Sequence, residues 1–345
     1  MPLTTPLTQQ LGLVHPLIQG GMQWVGVAEL VAAVSNAGAL GILTALTQPN
    51  PAALRDEIRR TRKMLRPDVA KRCKLGPFGV NVTLLPSISP PDYPGYVQAA
   101  LDEGVRIFET AGNNPGPVIK QIKDAGGFVI HKCTSVRHAL SAQKLGVDML
   151  SIDGFECAGH PGEDDIGGLV LMARAYEELK VPFVASGGIG NGQGLAAALA
   201  LGAVGANMGT RFMCTKESTI HENIKRVIVD SDERATTHIL RSLRNSARMH
   251  KNKISIEVLE LEKQGAKFEQ IQPLVSGQRG KTVYTTGDPD AGVWTLGIVC
   301  GLIHDIPSCK DLCEKMSADA EAHINRLASL TGGAQSASSS RQSHL

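Results

Sequence analysis

The sequence has few aromatic residues, almost no net charge and no long hydrophobic run. Phe, Trp and Tyr make up 4% of the 345 residues, and 35 Lys and Arg residues nearly balance 33 Asp and Glu residues, for a formal charge of +2. A net charge this small gives no strong positive field to attract nucleic acid or an anionic membrane. So few aromatic side chains also argue against a surface on which bases stack. The longest apolar candidate, residues 195–204, contains a glycine and falls well short of the roughly 20 residues of a membrane helix. We therefore expect neither nucleic acid nor a membrane as a partner.

Several motifs are also missing. The seven cysteines are odd in number and scattered, which does not suit a secreted disulfide framework and favours a reducing compartment such as the cytoplasm. There is no C-x-x-C or H-E-x-x-H pattern, so we expect no metal, and no G-x-S-x-G of a hydrolase. No Lys or Arg precedes Arg55, so we expect neither a secretory signal nor a transit peptide.

Short apolar runs alternate with longer amphipathic segments, which is the pattern of repeated β-α units. The predicted strands are residues 17–19, 41–43, 79–81, 105–109, 128–131, 149–152, 183–185 and 205–208. The predicted helices between them are residues 28–37, 51–66, 96–103, 115–125, 135–145, 167–179 and 192–201. Eight strands favour a closed (β/α)8 TIM-type barrel over an open doubly wound sheet, which more often has five or six.

The texture changes after the eighth strand. We assign residues 1–214 and 282–330 to the barrel, and residues 215–281, which are charged and helix-prone, to a helical insertion. After the eighth strand, we also expect a loop at residues 273–287, a helix at residues 291–303 and a terminal helix at residues 316–330. Residues 331–345 are mostly small and polar and read as a flexible tail.

In a barrel of this type, the loops after strands seven and eight commonly bind a phosphate. The first of these loops carries Ser186, Gly187 and Gly188, and the second carries Gly209 and Thr210, so backbone N–H groups and hydroxyls can face an anion. The alternative is that these glycines only make tight turns. The glycines lack G-x-G-x-x-G spacing, and no Asp or Glu follows from residue 191 to 216. A mononucleotide with one phosphate therefore fits better than a Rossmann dinucleotide.

His160 lies in the segment SIDGFECAGHPGEDD, which follows the sixth strand. Glycines at 159 and 162 let backbone approach a ligand closely, and an imidazole that titrates near neutrality is the usual general base. The alternative is that His160 caps the next helix or pairs with one of the nearby acids. The context of the barrel mouth favours the base.

Lys132 ends the fifth strand on the same face of the predicted barrel. Because side chains alternate along a strand, Lys132 enters the barrel if Ile130 does. An ammonium in that place would meet an anion, and the alternative is a solvated lysine at a strand end.

Further candidates end the first and third strands. Gly20, Gly21 and Met22 place two glycines and a thioether at the barrel mouth, where a flat ring could lie against backbone. Asn81 and Thr83 alternate as inward polar groups, although each could instead satisfy neighbouring backbone.

Six motifs in order carry a family resemblance: PLIQGGM, FGVNVT, HKC, DGFECAGHPGEDD, ASGGIGNG and NMGTRF. Together they resemble the nitronate monooxygenases, formerly called 2-nitropropane dioxygenases, and are most similar to the fungal-type branch. The match runs from about residue 16 to 212, and a later segment, GDPDAGVWTLGIVCGLI, is also similar.

The resemblance implies FMN as cofactor and assigns roles to the residues named above. Gly20, Gly21 and Met22 would contact the flavin ring, Asn81 and Thr83 its edge or chain, Lys132 its pyrimidine side, and Ala158 the flavin through its backbone, while Ser186, Gly188, Gly209 and Thr210 would hold the phosphate. His160 would be the catalytic base, and the insertion at residues 215–281 would form a lid over the substrate pocket.

The expected reaction is oxidation of alkyl nitronates, and of nitroalkanes after His160 removes the α-proton, by O2 to carbonyl compounds and nitrite. One alternative is an FMN-dependent reductase that uses NADH or NADPH toward a quinone or an enoyl thioester. Another is a flavin-binding module without turnover. Oligomeric state, including a homo-oligomer, stays open.

Two expectations concern flexible segments. Residues 86–96 read as a mobile gate. Ser343, His344 and Leu345 resemble the peroxisomal S-K-L signal, so a peroxisomal import receptor is an expected partner and a peroxisome an alternative to the cytoplasm.

Overall fold

The computed structural model describes residues 3–84 and 90–331 and contains a closed barrel of eight parallel strands in sequence order. The strands are β1 (Leu17–Gln19), β2 (Leu40–Thr44), β3 (Phe78–Leu84), β4 (Ile107–Gly112), β5 (Phe128–Cys133), β6 (Met149–Asp153), β7 (Phe183–Ser186) and β8 (Ala206–Met208). Pairing of β1 with β8, for example Ile18 with Asn207, closes the sheet. The predicted TIM-type barrel is confirmed, and each predicted strand overlaps an observed one.

One helix precedes β1, and the others lie between successive strands, as the amphipathic spacing predicts. They are α1 (Pro6–Leu11), α2 (Ala28–Asn36), α3 (Pro51–Lys63), α4 (Pro67–Arg72), α5 (Tyr93–Asp102), α6 (Gly116–Asp124), α7 (Val136–Lys144), α8 (Gly168–Glu178) and α9 (Gly192–Ala200). Side-chain oxygens of Asn50, Ser135 and Asn191 each accept the N–H three residues on, which fixes where α3, α7 and α9 begin.

The barrel interior changes character along the strand direction. One buried cluster contains Ile18, Ile42, Ile107, Ile130 and Val184 from the strands, together with leucines of α1. In four of these strands the residue two positions further on is polar: Thr44, Glu109, Lys132 and Ser186. The N-terminal half of the interior is therefore an ordinary core, and the C-terminal half is where chemistry can take place.

The region after β8 departs from the helical insertion predicted for residues 215–281. It contains α10 (Thr210–Met213), α11 (Glu222–Val229), strands β9 (Thr236–Ile239) and β10 (Ala247–His250), α12 (Lys253–Lys263), α13 (Phe268–Val275) and α14 (Gly277–Thr286). β9 and β10 form an antiparallel pair. A purely helical description was wrong because these strands are only four residues long, too short for their alternation to stand out among charged neighbours.

Two further expectations beyond the insertion were wrong. Residues 273–287 are mostly helical, because Ser276 caps the start of α14 and Gly287, at φ 78°, ends it in the left-handed conformation. Residues 291–303 are not an α-helix: Thr295 forms a β-bridge with Met249, and only a short 3-10 helix follows at Ile298–Leu302. The terminal helix α15 runs over Cys309–Ser329 and starts earlier than predicted.

All seven cysteines are buried free thiols. Within residues 3–84 and 90–331, no helix is both long and apolar enough to span a membrane, and no group of three or more His, Cys, Asp or Glu residues is arranged to hold a metal ion. The predicted peroxisomal signal at residues 343–345 lies outside the described residues, as do residues 86–89 of the predicted gate.

Candidate active site

A buried carboxylate, Glu109, organises the polar half of the barrel interior. It has no exposed surface and accepts hydrogen bonds from the backbone N–H of Gly21 (2.9 Å) and from the side-chain amides of Asn81 (2.7 Å) and Asn207 (2.8 Å). These donors lie in the turn after β1, in β3 and in β8, so one acid on β4 joins three other elements of the barrel. Sequence reasoning missed Glu109 as a site residue, although an acid two residues after the interior Ile107 was a usable signal.

The first-strand glycines are required by the packing of this network. A Cβ at Gly20 would lie 2.3 Å from Oδ1 of Asn207, and one at Gly21 would lie 2.3 Å from Cγ of Asn81. Their N–H groups already bond the carbonyl of Met208 and the Glu109 carboxylate. This turn can therefore offer a ligand contact surface but not free N–H donors.

Met22 also makes its backbone hydrogen bonds within the protein. Its N–H donates to the Thr44 hydroxyl at 2.9 Å, and that hydroxyl donates back to the Met22 carbonyl. The Met22 sulfur lies 3.5 Å from the position that a Cβ on Gly209 would take. The end of β1 therefore meets the loop after β8, as the predicted site requires.

Asn81 and Thr83 point inward and bond each other. The Thr83 hydroxyl donates to Oδ1 of Asn81 (2.9 Å), whose amide is bound to Glu109. Their partners are therefore side chains of the rim and not the neighbouring backbone that the alternative assigned to them.

Lys132 enters the barrel mouth and pairs with Asp153. Its ammonium lies 3.2 Å from the Asp153 carboxylate, and β5 and β6 align Lys132 with Ser151. Burial lowers the pKa of Lys132, but the negative charges of Asp153 and Glu109 outweigh burial and leave that pKa raised. The site thus contains a permanent cation, and Asp153 is a second acid that the sequence reasoning did not select.

The loops after β7 and β8 come together at the rim. β7 and β8 pair Ser186 with Asn207, and Gly187 and Gly188 follow with φ of 88° and 76°, a left-handed conformation that only glycine adopts easily. Gly209 has φ −104°, and the nearest atom to an added Cβ is 3.5 Å away. Among the described residues, the N–H groups of Gly187, Gly188 and Gly209 have no acceptor. Each of these amides can therefore donate a hydrogen bond to a ligand.

Thr210 and Ala158 join these loops to the segment that carries His160. The buried Thr210 hydroxyl oxygen accepts the Gly297 N–H at 3.1 Å, so its own hydrogen is left to donate elsewhere. A Cβ on Gly297 would lie 3.3 Å from that hydroxyl and 3.5 Å from the Ala158 nitrogen. Gly297 was not singled out from the sequence, although it lies in the last segment of the resemblance.

His160 follows the β-bridge at Gly159 in an irregular part of this segment. Gly159 and Gly162 on either side have φ of 72° and 85°. Solvent reaches the imidazole, although protein surrounds it on most sides; burial lowers its pKa below the usual 6.5, and the Glu163 carboxylate opposes that shift. The ring is therefore mainly neutral at pH 7 and able to accept a proton.

The sequence matches the family model described as nitronate monooxygenase over residues 4–319. A (3aS,4S,5R,7aS)-5-hydroxy-7a-methyl-1-oxo-octahydro-1H-indene-4-carboxyl-CoA dehydrogenase from Rhodococcus jostii (strain RHA1) is 31% identical over 95% of this chain and 99% of its own length. A probable nitronate monooxygenase from Staphylococcus aureus (strain MSSA476) is 28% identical over 67% of this chain and 73% of its own length.

Two solved structures resemble the whole chain. FabK from Thermotoga maritima is 31% identical with a TM-score of 0.85, covering 95% of this chain and 99% of FabK. A nitroalkane oxidase from Streptomyces ansochromogenes is 26% identical with a TM-score of 0.75, covering 93% and 99%.

These matches confirm the family resemblance, whereas the fungal-type branch stays a prediction. The matched family and relatives are oxidoreductases. The chain belongs to the nitronate monooxygenase family and is a flavin-dependent oxidoreductase.

Proposed function

We propose that the chain binds FMN and oxidises alkyl nitronates, and nitroalkanes after deprotonation, with O2 to carbonyl compounds and nitrite. The observation that carries this proposal is the junction at which residues 157 and 158, just before His160, meet the loops after β7 and β8: a Cβ on Gly187 would lie 2.9 Å from the Cys157 nitrogen. Gly297 lies against both the Thr210 hydroxyl and the Ala158 backbone, so the base and the anion-binding groups share one rim.

The donors at this rim fit one phosphate. The unpaired amides of Gly187, Gly188 and Gly209 and the hydroxyls of Ser186 and Thr210 suit a mononucleotide, and Lys132 supplies a cation that would favour negative charge on a reduced ring. FMN held there would supply an electron-accepting ring that passes electrons to O2. Asn81, Thr83, Gly20, Gly21, Met22 and Ala158 would border the ring.

His160 would act on the carbon next to the nitro group. A neutral imidazole takes the α-proton of the nitroalkane and becomes imidazolium, while the carbanion charge spreads onto the nitro oxygens. In the net oxidation, one O2 serves two nitroalkane molecules: each carbon–nitrogen bond breaks, each oxygen atom of O2 becomes a carbonyl oxygen, and each nitro group leaves as nitrite with the proton that the carbon lost. The net reaction balances without another reductant.

Gly209→Ala tests the phosphate assignment. The substitution fits the fold, because φ is −104° and an added Cβ meets nothing closer than 3.5 Å. It would crowd an approaching phosphate, so we expect FMN affinity to fall roughly tenfold or more with an unchanged melting temperature. Equilibrium titration of apoprotein with FMN measures the affinity. Gly116→Ala, at the start of α6, where an added Cβ meets nothing closer than 3.9 Å, is the matched control, and equal affinities in the two variants would contradict the assignment.

The pH dependence of nitroalkane oxidation tests the base. Only neutral His160 accepts a proton, so kcat/KM for nitroethane should rise with pH through the pKa of His160 and then level off. Because burial lowers that pKa, the midpoint should lie below 6.5. A midpoint above 6.5, or an identical acid limb in His160→Asn, would contradict this assignment.

A second candidate is oxidation or reduction next to a thioester carbonyl, with NADH or NADPH as partner. It is favoured by the name of the Rhodococcus relative, a carboxyl-CoA dehydrogenase that matches 95% of this chain. A carbon next to a thioester is also a carbon acid, so His160 could move its proton in the same way. Absence of a Rossmann motif does not exclude a nicotinamide that stacks on the flavin.

Two assays separate the candidates. With propyl-2-nitronate in air, the nitronate reaction consumes O2 and releases nitrite. Without oxygen, a reductase bleaches the flavin on addition of NADH or NADPH and regains colour with an enoyl-CoA or a quinone. We expect the first result; rapid bleaching without nitrite release would support the second candidate, and neither response would indicate a flavin-binding module.

A further inference from the structure

Arg248 on β10 holds the segment that leads to His160. Its guanidinium donates from Nε to the Cys157 carbonyl (3.1 Å), from Nη2 to the Phe155 carbonyl (2.8 Å) and from Nη1 to the Thr236 hydroxyl (2.9 Å). The guanidinium also lies 4.5 Å over the Phe155 ring. The side chain is 4% exposed, so these bonds are shielded from water.

The backbone of Arg248 adds a third attachment to the same segment. The Arg248 N–H donates to the Gly159 carbonyl at 2.6 Å, and the Gly159 N–H donates back at 3.1 Å, which forms an isolated β-bridge. Arg248 thus binds three alternate carbonyls, at residues 155, 157 and 159, immediately before His160. A turn with left-handed glycines on both sides of His160 would otherwise have considerable freedom.

The hairpin formed by β9, β10 and the residues that connect them also holds the segment after His160. Ser246 donates its N–H (2.9 Å) and hydroxyl (2.6 Å) to the Glu163 carboxylate, and Arg241 pairs with Asp165 at 2.5 Å. Glu163 is the acid that opposes the lowered pKa of His160. The hairpin therefore contacts His160's neighbours both before and after it.

Burial of Arg248 is hard to explain by stability alone. Among the described residues it has no carboxylate within ion-pairing distance, and its partners are carbonyls, a hydroxyl and an aromatic face. A buried charge carries a large desolvation cost that an apolar residue of similar size would avoid. A guanidinium does, however, supply several donors in fixed geometry, which suits holding a loop.

We propose that Arg248 is a positioning residue that clamps the loop of residues 155–165 and thereby sets the place of His160 relative to the substrate. This inference rests on the proposed function for its kinetic part. Arg248 does not touch substrate in this account and acts only through the loop. The proposal predicts that loss of the guanidinium slows proton removal from the nitroalkane more than it weakens flavin binding or slows nitronate oxidation.

Two substrates with the same carbon skeleton provide the kinetic test. Nitroethane must lose a proton to His160, whereas ethyl nitronate has already lost it. In Arg248→Met we expect kcat for nitroethane to fall roughly 100-fold with little change in KM, and kcat for ethyl nitronate and FMN content to stay close to wild type. Arg248→Lys keeps the positive charge but loses the forked donors of the guanidinium, so its kcat for nitroethane should lie between those of wild type and Arg248→Met. Equal losses on both substrates would overturn the proposal and leave a general structural role.

Hydrogen exchange tests the clamp without turnover. With FMN bound, peptides covering residues 155–165 should exchange roughly tenfold faster in Arg248→Met than in wild type, while β1–β4 are unchanged. Arg234→Met is the matched control, because Arg234 is exposed on the same insertion and pairs with the exposed Asp232, away from residues 155–165 in sequence. Unchanged exchange in a folded Arg248→Met or Arg248→Lys protein would overturn the clamp. If wild type oxidises neither nitro compound, the proposed function fails and the exchange result alone decides the clamp.

Discussion

His160→Asn should lower kcat/KM for nitroethane by roughly 10²–10⁴-fold, the usual contribution of a general base. Asparagine keeps a polar side chain of similar size but cannot take a proton at neutral pH. FMN content and melting temperature should not change, because His160 lies exposed at the rim. Oxidation of ethyl nitronate should fall much less, since that substrate arrives deprotonated. Steady-state rates with both substrates, followed by nitrite release, measure the effect.

His138→Asn is the matched control for this prediction. His138 is exposed on α7, where its ring bonds the neighbouring Arg137, and we expect wild-type rates. A His160→Asn protein that binds FMN and oxidises nitroethane at the wild-type rate would show that the base lies elsewhere or that the chain is a flavin-binding module.

Glu109→Leu should lower the free energy of unfolding by about 3 kcal/mol or more. The carboxylate is fully buried, and its loss leaves three donors without an acceptor, on Gly21, Asn81 and Asn207. Each unsatisfied buried donor costs about 1–3 kcal/mol, although such costs do not add fully. Urea unfolding of the apoprotein measures the loss, and FMN affinity should also fall because the rim loses its common anchor.

Two further variants serve as comparisons for the stability of Glu109→Leu. Glu109→Gln keeps one carbonyl acceptor and should lose less stability than Glu109→Leu, whereas Glu257→Leu, on the exposed face of α12, should lose almost none. If Glu109→Leu unfolds at the same urea concentration as Glu257→Leu, the network around Glu109 does not stabilise the rim.

The barrel could be predicted from sequence because its signal is local and repeated. Each strand is a short apolar run, and each following helix has its own periodicity and often its own cap, as at Asn50 and Ser135. Eight repetitions of that signal leave few topologies, because sequential parallel strands joined by helices usually neighbour one another.

The insertion was harder because its short elements depend on distant partners. β10 is only four residues long and gains its place by bonding β9 on one side and by bridges to Gly159 and Thr295. Residues 291–303 have helix-compatible composition, but the bridge to Met249 holds Thr295 extended. Tertiary contacts of this kind override local propensity.

The same distinction separates the candidate residues that the sequence singled out from those that only the structure singles out. Ser186, Gly188 and His160 stand out because glycine-rich loops follow predicted strands. Glu109 and Arg248 do not stand out, because each is recognised as a site residue only from hydrogen bonds to partners 88 and 93 residues away in the sequence. A charged residue in phase with an interior position is the signal that would have identified Glu109.

The central claim is that the rim of this barrel holds one flavin mononucleotide. The most direct measurement is to purify the protein without added cofactor, record its visible spectrum, and identify by chromatography what heat denaturation releases. We predict a yellow protein that releases FMN in an equimolar amount. A colourless protein that fails to take up added FMN, or one that releases FAD, would contradict the account.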